Sequence, residues 1–120
     1  MNTQREPLAK FDMQEDGRGR WIYVAGPYAG GDGDVVANVR HAAIVGLELR
    51  RKGWVPLIPH LFHFLHLIEP QDREVWLVWD IDLLRRCDIM LRIPGESKGA
   101  DAEQKVAELI GIPVFELQVQ

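Results

Sequence analysis

DIDLLRRCDIMLRIPGESKGADAEQKVAELIGIPVFE, residues 80–116, decides the fold of this chain. The run DIMLRI at 88–93 is short and apolar, and Pro94-Gly95 closes it, which predicts a strand. The spacing that follows predicts a helix over 98–110, stopped by Gly111, and a further strand over 113–117. In that helix the apolar stripe is Ala100, Val106, Ala107 and Ile110, and Glu103 falls inside it. Asp101, Gln104, Lys105 and Glu108 fall on the opposite side. A lone carboxylate on an inward helix face is costly unless it is paired, hydrated or used. The turn before it, Ser97-Lys98-Gly99, offers backbone N–H groups to an anion. An inward acid beside such a turn points to a site for a sugar or a nucleotide.

Working outward, WIYVA at 21–25 is an apolar run bounded by Gly-Pro, and predicts a buried strand. The loop GPYAGGDG at 26–33 leads to a helix over 35–52, capped by Asp32 or Asp34 and ended by Gly53. Its expected core face is Val36, Val39, Ala43 and Leu47. A short strand over 55–58 is closed by Pro59, and Asp72 caps a helix running to about residue 86. The segment 60–70 is apolar, aromatic and rich in histidine, and its structure stays open. Residues 1–20 read as a loosely ordered lead-in or a short edge element, ahead of a single domain over 21–120. Strands alternating with amphipathic helices predict an α/β fold: a three-layer flavodoxin- or Rossmann-like sandwich with a four- or five-stranded, mainly parallel sheet. Ligands of such sheets lie at the carboxyl ends of the strands. Here those ends are Gly26-Pro27-Tyr28, Pro59-His60 and the loop 94–99.

A net charge of −4 with no basic stripe argues against a nucleic acid polymer or an anionic membrane as partner. It leaves room for a small anionic ligand. The single cysteine, Cys87, forms no internal disulfide and fits a reducing, cytoplasmic setting. The first twenty residues are too polar for a signal peptide. Residues 54–68, though apolar, hold two prolines and three histidines and do not make a membrane span.

Several side chains are candidates for chemistry, and each has a plain structural alternative. Ser97, Gly99 and Glu103 form the best constellation; the alternative is an ordinary helix start with Ser97 as cap. Asp80 shares its helix with Trp76, Trp79, Leu83 and Leu84; the alternative is a solvated acid beside Asp82. Tyr28 offers a ligand an aromatic wall and a hydroxyl, or is a plain loop aromatic. His60, His63 and His66 lack the geometry and the companion ligands of a metal site, so no metal is expected. His60, at a strand's carboxyl end, is the one of the three placed to touch ligand. Gly30, Gly31 and Gly33 form neither a dinucleotide turn nor a Walker loop. Cys87 precedes a buried strand and reads as a structural thiol.

AGPY after the first strand, Asp80, Asp88 eight residues later, and S-x-G-x-x-x-E at Ser97, Gly99 and Glu103 together resemble the nucleoside 2-deoxyribosyltransferase superfamily. That group includes the 2'-deoxynucleoside 5'-monophosphate N-glycosidases. The likeness is strongest to small bacterial and phage members and covers residues 21–116. The resemblance implies that Glu103 is the catalytic nucleophile and that Asp80 is the acid at the base or sugar. It implies that Tyr28 lines the sugar and the nucleophile, that Ser97 meets the ligand's 5' end, and that Gly26, Pro27 and Gly99 belong to the substrate-binding residues. Three departures stand out. Trp79 replaces a common asparagine, the loop AGGDGD lacks an arginine that helps hold phosphate, and the segment that completes a neighbour's site in the transferases is missing.

The chemistry implied is cleavage or transfer at an N-glycosidic bond of a nucleoside or nucleoside 5'-monophosphate, with no cofactor. A nucleotide-sensing module and a structural oligomer are the alternatives. The apolar segment 60–68 leads us to expect a homodimer or a higher homo-oligomer.

Overall fold

The computed structural model describes residues 7–29 and 34–118. Five strands form one sheet: β1 (Ala9–Lys10), β2 (Trp21–Ala25), β3 (Val55–Leu57), β4 (Ile89–Arg92) and β5 (Val114–Glu116). Their order is β1-β5-β4-β2-β3, and every neighbouring pair is parallel. The helices are α1 (Val35–Arg51), α2 (His63–Ile68), α3 (Arg73–Leu84) and α4 (Lys98–Ile110), with a 3₁₀ turn over Pro59–Phe62 leading into α2. This is the expected α/β sandwich, with the sheet parallel throughout.

Alternation along the strands builds the layers. Ile22, Val24, Ile89 and Leu91 face α1 and pack on Ala42, Val45 and Leu49, with Trp54 and Phe11 completing that core. Tyr23, Ala25 and Met90 face the other way and pack on Leu84 of α3 and on Ala100 and Ala107 of α4. The register pairs Tyr23 with Met90 and Ala25 with Arg92. Tyr23 and Arg92 therefore share the face that α4 covers.

Local sequence sets the element ends. Asp34 accepts from the Val36 N–H at 2.8 Å and starts α1, so of the two candidate caps it is the one used; Asp32 lies outside the described residues. Gly111 ends α4 in the left-handed region at φ 83°, which glycine adopts without strain. Asp88 receives the Trp21 N–H at 2.7 Å and so ties the start of β2 to the start of β4, far from the strands' carboxyl ends.

Two helix faces differ from expectation. On α1, Val39 is buried, but the rest of the inward face is Ala42, Val45, Gly46 and Leu49, while Val36 and Leu47 are exposed. The reason lies at Gly46, where a Cβ would sit 2.2 Å from Ile58 Cδ1, so this side of the helix packs tightly on the residue that follows β3. On α4, Gln104 is buried rather than solvated, because Arg92 reaches it, while Ile110 is largely exposed. Residues 7–20 supply the short edge element: β1 pairs with β5, and Phe11 is buried between Trp54 and Phe115.

Between β2 and β3 the chain winds one way along the sheet, and from β3 to β4 it crosses back over β2. The carboxyl ends of β2 and β4 thus flank the switch point, where open α/β sheets hold their ligands.

Candidate functional site

A cavity of about 600 Å³ opens at that switch point. The three expected loops converge on it, through Gly26 and Tyr28, Pro59 and His60, and Ser97 and Gly99. Glu103 and Asp80 join them from α4 and α3. Of the residues expected at the site, Pro27 alone is set back from the wall. Its carbonyl takes the His60 Nε2–H at 2.8 Å, and a Cβ on Gly95 would meet its ring at 2.7 Å. Gly26 has no room for a side chain, since a Cβ there would lie 2.7 Å from Ile93 Cβ.

Glu103 is buried at 7% exposure, inside the apolar stripe of α4. Its Oε2 accepts a hydrogen bond of 2.5 Å from the Tyr23 hydroxyl. Burial raises its pKa, while the hydrogen bonds from Tyr23 and Asp80 and the charge of Arg92 pull it back. Asp80 is pushed up to about 9, first by burial, then by the negative charge of Glu103 and the hydrogen bond they share. Its Oδ1 is buried without a partner. Two carboxyls this close, both penalised by burial, hold one proton between them. Asp80 keeps it, and Glu103, with donors on both sides, carries the charge. Tyr23 is held well above its ordinary range by burial and then by Glu103, so it stays a donor.

Arg92, also buried, fixes this arrangement from β4. Its guanidinium donates to the carbonyls of Ile93 and Gly95, to Asp101 at 2.8 Å and to Gln104 at 3.3 Å. It therefore clamps the β4–α4 loop to the first turns of α4. Ser97 caps that helix, its Oγ accepting from the Ala100 N–H at 3.1 Å. Arg73, from the start of α3, brings its guanidinium to within 3.8 Å of the position a Gly99 Cβ would take. Arg73 and Lys98 both line the cavity here, against the single carboxylate of Glu96, so a net positive charge and the first N–H groups of α4 meet in this part of it.

Tyr28 also lines the cavity, but its hydroxyl is already bonded to His63 Nδ1 at 2.7 Å. It is Tyr23, not Tyr28, whose hydroxyl meets the acid. The histidines diverge to separate partners: His60 to Pro27, His63 to Tyr28, and His66 to Trp76 at 2.8 Å. Among the described residues, no group of three histidine, cysteine or carboxylate side chains is placed to hold a metal ion. Cys87 is buried, its thiol pushed up to about 12 by burial, which leaves it unreactive.

Sequence reading missed Tyr23, Arg92, Arg73 and the pair His66–Trp76. A signal existed for the first two: each is a polar-tipped side chain inside an otherwise apolar strand, on the alternation that points toward α4.

Residues 20–117 match the family model described as Domain of unknown function (DUF7768). The chain belongs to this family. The matched span runs from the residue before β2 to the residue after β5, and so contains every side chain that lines the cavity. β1 lies outside it. No curated protein matches the chain. Among the described residues, no helix of this DUF7768 member is long and apolar enough to cross a membrane.

Proposed function

We propose that this protein breaks the N-glycosidic bond of a nucleoside or a nucleoside 5'-monophosphate, by hydrolysis or by transfer to another base, with Glu103 as nucleophile and Asp80 as acid. The observation that carries this reading is that Glu103 and Asp80 both line the cavity, with the Tyr23 hydroxyl 2.5 Å from Glu103 and the Asp80 pKa pushed up to about 9 by burial and by Glu103. The resemblance to the nucleoside 2-deoxyribosyltransferase superfamily supports it, because Glu103 and Asp80 stand at the matching positions.

Such a bond breaks through an oxocarbenium-like state. The Glu103 carboxylate offsets the positive charge at the anomeric carbon and then bonds to it as an ester. The carbon–nitrogen bond breaks, its electron pair leaves with the base, and Asp80 supplies the proton that makes the base a better leaving group. Water, or a second base, then attacks the anomeric carbon. It returns the electron pair to Glu103 and its proton to Asp80. Tyr23 and Arg92 keep Glu103 charged and in place while this happens. Ser97, Arg73, Lys98 and the start of α4 suit a 5'-phosphate at the far end of the sugar.

The test is release of free base, followed by chromatography over a panel of nucleosides and 5'-monophosphates. Wild type is expected to release base from at least one of them. Glu103→Gln, which keeps volume but cannot attack, is expected to lose about three orders of magnitude or more in rate. Background release by wild type on every substrate, while a monophosphate still binds, would overturn catalysis and leave a nucleotide-sensing module.

A further inference from the structure

Beside the buried Nδ1 of His60, the described part of the cavity holds another polar group that the reaction does not use and the fold does not satisfy: the outer edge of His66. Its Nδ1 accepts two hydrogen bonds, from Trp76 Nε1–H at 2.8 Å and from the Gln71 backbone N–H at 3.3 Å. Both partners are donors only. Nδ1 therefore offers its lone pair, and the neutral ring carries its proton on Nε2. No described residue accepts from that Nε2–H. It is also absent from the buried side-chain atoms lacking a partner, so it is open to solvent. His66 lines the cavity, and the edge it has left for a ligand is a donor.

Helix geometry says which part of a ligand meets that donor. Trp76 stands four residues before Asp80 on α3, so the two share one helix face, and both line the cavity. A group that takes the Asp80 proton lies beside Asp80, and one turn along is the indole of Trp76. Phe62 flanks that indole, with ring centroids 6.0 Å apart, and lines the cavity as well. A planar ring leaving over Asp80 thus has aromatic walls next to it, and the His66 ring stands edge-on to Trp76 at 5.8 Å.

We infer that His66 is the residue that reads the base: held as the Nε2–H tautomer by Trp76, it donates a hydrogen bond to a lone pair, a ring nitrogen or a carbonyl oxygen, on the nucleobase that Trp76 and Phe62 flank. Trp76 is then both wall and positioning residue, since its N–H selects the tautomer. This rests on the proposed function for the identity of the ligand, but on separate side chains.

The experiment combines a ligand-free measurement with a binding series. Nitrogen NMR of the His66 ring in wild type is expected to place the proton on Nε2 alone, and Trp76→Phe is expected to let the two tautomers mix. By calorimetry, His66→Phe is expected to weaken the best-binding nucleoside 5'-monophosphate about five- to tenfold, as loss of one neutral hydrogen bond does. The same variant is expected to leave ribose 5-phosphate, which has no base, within about twofold, because no base contact is lost. His66→Gln, whose amide restores an N–H at the Nε2 position, is expected to recover part of that loss. A proton found on Nδ1, equal weakening of both ligands, no weakening of either, or no nucleotide bound by wild type each overturns the inference. Nucleotide binding that depends on His66, without base release, sinks the catalytic proposal and leaves this one standing. Base release that His66→Phe leaves unchanged in KM across the panel does the reverse.

Discussion

Two partly or fully buried carboxyl groups within hydrogen-bond reach of one another share a charge, and the site's pH behaviour follows from which of them holds the proton. Asp80 rises from its ordinary 3.8 to about 9. If it is the acid that protonates the departing base, its protonated form is present below that value and lost above it. Base release is therefore expected to fall as pH rises through about 9, measured as kcat/KM against pH. Stability moves in the same direction. The folded state binds a proton that the unfolded chain has released, so folding is favoured most below 3.8 and loses that advantage progressively up to about 9. Asp80→Asn removes the titration while keeping a donor toward Glu103. We expect it to raise the melting temperature at pH 7 to 8, to flatten the stability profile between pH 4 and 9, and to slow base departure by about 10²- to 10⁴-fold. A melting temperature unchanged in its pH dependence would show that Asp80 is not the proton holder.

At the scale of elements, close approaches decide more than propensities do. Gly17 shows it on the first core: a Cβ there would lie 2.5 Å from Trp54 Cγ and 2.6 Å from the Trp54 backbone nitrogen, neither of which can move aside. Its N–H also donates to Lys52 O at 2.8 Å. Gly17→Ala is expected to cost about 1–3 kcal/mol, read as a lower denaturant midpoint with an unchanged slope. The same kind of contact explains what the sequence did and did not disclose. The strands, the α3 and α4 helices and the ends set by Ser97 and Gly111 were legible, because alternation, caps and glycine stops are local signals. Glu103 was legible because a carboxylate inside a narrow apolar stripe breaks a strong pattern. The buried face of α1 was not. Apolar residues occur almost all round that helix, so several stripes fit its period, and the choice rests on the tertiary approach of Gly46 to Ile58. Tyr23 and Arg92 escaped for a related reason: one strand names two faces, but only the sheet order says which face meets α4. Gln104, placed with the polar residues, is drawn inward by an arginine twelve residues away.

For the molecule as a whole, the 3₁₀ turn and α2 meet α3 through aromatic rings, Phe62 on Trp76 and Trp79, and His66 on Trp76. Their outer surface is apolar: Phe64, Leu67, Ile68, Val78 and Trp79 are all 44% exposed or more. Exposed apolar side chains, where they are contiguous, mark an interface. We propose that a second copy covers it, forming a symmetric dimer. Light scattering is expected to report a dimer at micromolar concentration, and Ile68→Asp with Val78→Asp to report a monomer that still folds. A wild-type monomer under those conditions rules the dimer out.

The pairing of β1 with β5 also has a kinetic consequence. Lys10 and Glu116, joined by an ion pair, are 106 residues apart in sequence, and β1 is only two residues long. Closing the longest loop for the fewest ladder bonds repays its entropy poorly, so this edge zips up after the rate-limiting step of folding. Phe11 anchors it from 4% exposure. Phe11→Ala should therefore destabilise the fold by about 3–5 kcal/mol almost wholly through faster unfolding, with the refolding limb of the chevron unmoved. The strand that is last to take its place would, by the same path reversed, be the first to leave.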